Sequence, residues 1–320
     1  MPAADDTVSV LDPGTMGFGL HLPIAAQSQS FAQGWESGCG PEEMGRIAQV
    51  ADECGFFYLA VSDHIAVPRG LAERMSTVWY DTVATLSWCA ARTCRIRLLS
   101  YVAVLPYRHP LDSAKSYATL DVLSGGRLIL GVGTGHAQGE FDALGIDFRR
   151  RGRLLDECID AVADAFREEY HEHEGANFAY RDVGLAPRPV QKPRPPIWVG
   201  GSSRAALRRA AERGDGWLPQ GPPEMGMAGA IDFLHEHRQR VRGGARIEIG
   251  QNLPWMYVGS AGFDLPEGTL SGSADSLLSP IAEARELGVS HMGVRLRARD
   301  VEEYLDQIRA FSESVLPRVS

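Results

Sequence analysis

Apolar residues along this chain fall into two alternating textures. Segments such as PEEMGRIAQVADEC, PLDSAKSYATLDVL, RRGRLLDECIDAVADAF and SRAALRRAAERG carry them near positions i, i+3, i+4 and i+7, the spacing of a helix that covers a core with one face. Short continuous apolar runs follow, as in DECGFFYLAV (52–61), SGGRLILGVG (124–133), AERGDGWLP (211–219) and RELGVSHMGVRL (285–296). The glycine at each junction suits the left-handed position that closes a helix, and the run after it reads as a strand buried on both faces. Eight strands are predicted, at 16–22, 56–62, 95–104, 127–133, 196–200, 215–219, 252–258 and 289–296. Eight alternating units in a chain of 320 residues predict a closed (β/α)8 TIM barrel, one domain over 1–320, rather than an open doubly wound sheet. Functional residues are then expected just after the strands, on the C-terminal face. Residues 23–40 and 169–195 are too long for ordinary connections and are expected as insertion loops over that face, acting as lids or binding loops.

Charge and composition narrow the function. A net charge of −9 leaves no basic stripe to neutralise phosphates, so no nucleic-acid partner is expected. Five cysteines (Cys39, Cys54, Cys89, Cys94, Cys158) form no C-x-x-C, which argues against a disulfide framework or zinc ribbon and fits a reducing cytosol. The start MPAADDTVSV is acidic where a secretory signal is basic, and no apolar run reaches the roughly 18 residues of a membrane span. A cytoplasmic protein without a membrane partner is expected. His171 with His173, and His235 with His237, have chelating spacing but lie among acids and arginines, and no metal is expected.

Three strand ends carry candidate chemistry. GVGTG (131–135) brings Gly133 and Gly135 to the end of a strand, followed by His136. A dinucleotide fingerprint would need glycine at 136, so the glycines either turn the chain tightly or allow close approach of a ligand. PPIWVGGSSRAALRRAAERGDGW (195–217) ends a strand at Gly200-Gly201 and starts a helix beside Ser202 and Ser203. That is the pattern of a phosphate cradle at a helix N-terminus, and equally of a plain serine cap. VSDHIAVP (61–68) sets Asp63 and His64 at another strand end, where they can transfer a proton or grip a polar substrate, or simply cap the loop.

In order and spacing these stretches, with MGFGLHLP and RIRLLSYVAVLPYRHP, resemble the luciferase-like monooxygenase superfamily, and within it the branch that uses the deazaflavin coenzyme F420. The resemblance implies a (β/α)8 barrel and a homodimer. It implies that Asp63 and His64 lie by the coenzyme ring, that a non-prolyl cis peptide at Tyr101-Val102 forms a bulge behind it, and that Gly200, Gly201, Ser202 and Ser203 hold its phosphate. It also places Gly133 and Gly135 close to the ring and turns His136 to the substrate, where deazaflavin-dependent sugar-phosphate dehydrogenases carry a glutamate; the change leaves an acid/base role open but argues against a sugar-phosphate substrate. The implied activity is hydride transfer between F420 and a small organic substrate, with His136 and His64 competing for the proton. The alternatives are an FMN-dependent monooxygenase using reduced flavin and O2, and a barrel that binds a ligand without turnover.

Overall fold

In the computed structural model, which describes residues 7–319, eight parallel strands close into a barrel. They are β1 (Gly17–His21), β2 (Tyr58–Val61), β3 (Arg97–Ser100) with its short continuation β4 (Ala103–Val104), β5 (Leu128–Gly133), β8 (Ile197–Gly200), β9 (Gly216–Leu218), β10 (Glu248–Val258) and β12 (His291–Leu296). β1 pairs with both β2 and β12, and β9 pairs with β10, so the ring has no open edge. Helices α1 (Pro41–Glu53), α3 (Thr82–Ala90), α4 (Pro110–Leu123), α6 (Arg151–Arg167), α7 (Arg204–Arg213), α8 (Gly226–Arg242) and α9 (Ala274–Glu286) connect successive strands, and α10 (Val301–Ser314) follows the last. Two shorter helices, α2 (Arg69–Met75) and α5 (Gln138–Ala143), sit in the connections after β2 and β5.

The continuous apolar runs follow from burial on both faces. Leu98, Leu128, Leu130, Ile197 and Val199 pack outward with the helices, while Leu99, Ile129 and Trp198 turn inward with Tyr58, Tyr101 and Leu218. Helix starts obey local chemistry: the Glu43 carboxylate accepts from the Gly40 N–H at 2.8 Å before α1, and Asp300 caps α10 through the Glu303 N–H at 2.9 Å. The floor is closed by the N-terminal segment. Glu248 accepts from the Ser9 hydroxyl at 2.8 Å and from the Val10 and Leu11 N–H groups at 2.9 Å, and Trp198 Nε1 donates to it from inside the barrel at 3.1 Å. The Trp198 ring stacks on His291 with centroids 4.1 Å apart.

Two expectations are corrected by the backbone. The seventh strand starts at Glu248, ahead of the expected 252–258, and its barrel pairing runs through Glu248↔Gly216, Ile249↔Trp217 and Gly250↔His291. The polar EIGQN stretch hides it, and Gly250 is required there because a Cβ would meet His291 Cε1 at 2.4 Å. The later part continues the pairing with β12 through Trp255↔Arg295 and Met256↔Leu296, and Met256, Tyr257 and Val258 pair with β11 (Leu270–Gly272). The 169–195 insertion is no lid. It forms a hairpin of β6 (Tyr170–Glu174) and β7 (Ala179–Gly184) on the outer flank of the barrel. Phe178 and the Asn177 N–H bond Glu157 of α6, Phe178 packs on His109 at the head of α4, and Val190 N–H bonds Asp121 of α4. An insertion that follows a helix starts at the N-terminal side of the barrel, which is why it climbs the flank instead of crossing the mouth. Among the described residues no helix is long and apolar enough to cross a membrane.

Candidate active site

The C-terminal ends of the strands surround a cavity of about 510 Å³, within the ~300–1,000 Å³ range of cofactor and ligand sites. The 23–40 loop does cover this mouth: Ser28, Ser30 and Phe31 line the cavity. It is held against the loop after α2, where Gln27 N–H donates to Val78 O at 3.0 Å and Tyr80 N–H to Ala25 O at 2.9 Å.

Behind the cavity, the Tyr101-Val102 peptide is cis. Val102 fills the space above two strand-end glycines. A Cβ on Gly133 would lie 2.4 Å from Val102 Cγ2, and one on Gly200 would lie 2.8 Å from Cγ1. These glycines therefore admit Val102, which in turn presents an apolar shelf to the cavity. Gly135 has a different reason: its φ of 74° is left-handed, and a Cβ would meet Val104 and Phe141 at 2.8 and 2.9 Å. Tyr101 is fixed by donating to Pro219 O at 3.3 Å and accepting from Asn252 Nδ2 at 3.1 Å.

His64 stands at the cavity edge with its Nδ1 2.6 Å from Oε2 of Glu140, a fully buried carboxylate on α5. The other Glu140 oxygen accepts from the Ile65 and Ala66 N–H groups at 2.9 and 3.1 Å, and Tyr107 OH donates to Oε2 at 3.2 Å. Burial alone would raise the Glu140 carboxyl, but the bond and charge of His64, with the two backbone donors, outweigh it and hold Glu140 below the usual carboxylate range. A carboxylate partner fixes Nδ1 as the protonated donor, so Nε2 is left to exchange a proton in the cavity. Trp79 packs on the His64 ring with centroids 4.3 Å apart, and His136 meets it edge-on at 5.4 Å. Burial, then repulsion from His64, lowers the His136 pKa, which keeps that imidazole neutral near pH 7.

Asp63 lines the same cavity but its oxygens are committed. Arg108 binds them at 2.7 and 2.9 Å, and the Val104 N–H donates to Oδ2 at 2.9 Å. The residue ties the end of β2 to the segment after Val102, and so positions the shelf. Gly200 and Gly201 line the cavity, whereas the Ser202 hydroxyl bridges Gly221 O (2.6 Å) and Gln220 N–H (3.0 Å), and Ser203 caps α7 through the Ala206 N–H at 3.3 Å. Apart from the Ala206 N–H taken by Ser203, the first backbone N–H groups of α7 have no acceptor within the helix. The structure thus brings together Asp63, His64, Tyr101, Val102, Gly133, Gly135, His136, Gly200 and Gly201 around one cavity, whereas Ser202 and Ser203 do not line it and are engaged in loop and helix-cap bonds. Glu140, Arg108 and Trp79 escaped the sequence reading. Arg108 lay inside RIRLLSYVAVLPYRHP and Glu140 four residues after His136, but the partner of each is far away in sequence.

An apolar shelf, strand-end glycines and two histidines thus face one cavity. The model of a family described as luciferase-like monooxygenase matches residues 16–257. An uncharacterised Mycobacterium tuberculosis protein is 34% identical over 221 residues, 65% of this chain and 73% of its own. The F420-dependent glucose-6-phosphate dehydrogenase of Kineococcus radiotolerans is 31% identical over 64% of this chain and 57% of its own, and the FMNH2-dependent dimethylsulfone monooxygenase of Pseudomonas putida 27% identical over 65% and 56%. Among solved structures, the coenzyme F420-dependent tetrahydromethanopterin reductase of Methanopyrus kandleri superposes with a TM-score of 0.75 at 19% identity, over 96% of this chain and all of that one, a likeness of fold.

Proposed function

The chain belongs to the luciferase-like monooxygenase family, oxidoreductases with both F420- and FMN-dependent members, and from that premise we propose that it transfers a hydride between coenzyme F420 and a small organic substrate. The observation that carries this reading is the His64–Glu140 pair at the edge of the cavity, opposite an apolar shelf. The deazaflavin, when bound, supplies the redox chemistry. The protein's share is to hold, orient and protonate. Val102 backs the ring, while the backbone at Gly200, Gly201 and the head of α7 receives the phosphate. Phe31 and Trp79 exclude water above it.

His64 gives or takes the accompanying proton at Nε2, and Glu140 holds the ring in the required tautomer. His136, lacking such an orienting partner among the described residues, shapes the substrate side. The rival reading is an FMN-dependent monooxygenase, supported by the Pseudomonas relative; it uses the same shelf but consumes oxygen. A homodimer and a cytoplasmic site of action are part of the proposal.

The test is kcat against pH for His64→Ala and His136→Ala, with a substrate found among enones, imines, alcohols and aldehydes. His64→Ala is expected to lower kcat by roughly 10²–10⁴ and to remove one limb of the profile, with coenzyme affinity little changed. His136→Ala should cost less than tenfold in kcat and keep both limbs. The opposite pattern transfers the role to His136.

A further inference from the structure

Beside the main cavity lies a smaller chamber of about 40 Å³ over the ends of β1, β10 and β12, and Phe31 and Ser62 line both. Arg295, from β12, reaches into it half-buried. Among the described residues it has no acidic partner, and its buried Nε has no acceptor within the protein. The groups around it are neutral. His21, held by Asn252 at 3.1 Å, has its pKa pushed down to about 3 by burial and then by the Arg295 charge; Tyr101 is a buried phenol; and the Trp255 ring lies 6.0 Å from the guanidinium carbon. Glu36 also lines the chamber, but its oxygens accept from the Ile24 and Gln33 N–H groups of its own loop at 2.8 and 2.7 Å.

A desolvated cation without a counter-ion is costly unless an anion arrives to pair with it. The guanidinium offers a planar fork of donors that matches a carboxylate. Size sets the rest. One water needs about 10–15 Å³ of such a cavity, so the chamber takes a head group of a few non-hydrogen atoms and not a whole substrate.

We propose that Arg295 holds the carboxylate of an organic-acid substrate in this side chamber, with the remainder of the molecule extending into the main cavity before His64. The inference rests on the main cavity being the substrate site. It is tested by calorimetric titration of the purified full chain, without coenzyme, using benzoate and its neutral counterpart benzamide. Benzoate is expected to bind at least tenfold more tightly. Arg295→Met should abolish that preference, Arg295→Lys should recover part of it, and Arg74→Met, which removes another cation lining the main cavity, should leave it intact. Absence of benzoate binding, equal affinity for the two probes, a preference that survives Arg295→Met, or one that disappears in Arg74→Met overturns the proposal. Because no turnover is involved, a clear charge preference in a protein that transfers no hydride faults the redox reading alone. An active enzyme without charge preference faults only the assignment of Arg295.

Discussion

Glu140 gives His64 its chemical character. Its buried carboxylate lies 2.6 Å from the imidazole Nδ1, so replacing the charge while keeping the shape weakens the charge-assisted bond that orients the ring. In Glu140→Gln, kcat is expected to fall by roughly tenfold to a hundredfold, while coenzyme affinity holds. An unchanged kcat would reduce Glu140 to a loop anchor for Ile65 and Ala66. Acid acts in the same direction as the mutation. The folded-state pKa of Glu140 is depressed, so its stabilising contribution is complete above the unfolded carboxylate pKa and is lost as pH falls through the folded value. At this scale the sequence was half legible. Asp63 and His64 announce themselves at a strand end, but the division of labour between them depends on Arg108 and Glu140, which only folding brings near.

Among the elements, the shelf is the feature whose parts depend most on one another. Val102 and the glycines at 133 and 200 come from three neighbouring strands, and none has its packing without the others. Gly133→Ala should therefore displace Val102 and weaken coenzyme binding by tenfold or more, and Val102→Ala in the same chain should restore part of the loss by making room for the new methyl. Additive losses in that double-mutant cycle would show that the two side chains do not compete for space. The strands themselves were readable because burial on both faces leaves long apolar runs. β10 was misjudged at its start because a polar floor residue, Glu248, and a glycine forced by the His291 ring interrupt its run. The hairpin at 170–184 was misjudged because length alone does not say on which side of a barrel an insertion emerges.

The barrel as a whole is built around an interior that keeps polar rings uncharged. His291 is 1% exposed, and burial pushes its pKa down to about 3. The unfolded chain takes up a proton at that residue below about pH 6.5, which the folded barrel refuses until near pH 3, so stability falls as pH drops through that window. His291→Phe keeps a ring against Trp198 and should spare about 2 kcal/mol of the loss between pH 7 and pH 5 in urea unfolding, relative to the wild type. Equal losses in the two proteins would mean that His291 is charged in the folded state.

The central claim is that this barrel works with a deazaflavin. Purified protein titrated separately with F420 and with FMN, followed by oxygen uptake during turnover with the preferred coenzyme, tests it most directly. The account predicts that F420 binds at least tenfold more tightly than FMN, about 1.4 kcal/mol, and that turnover consumes no oxygen. Tighter binding of FMN, with oxygen taken up in step with product, would contradict it and make the chain a monooxygenase.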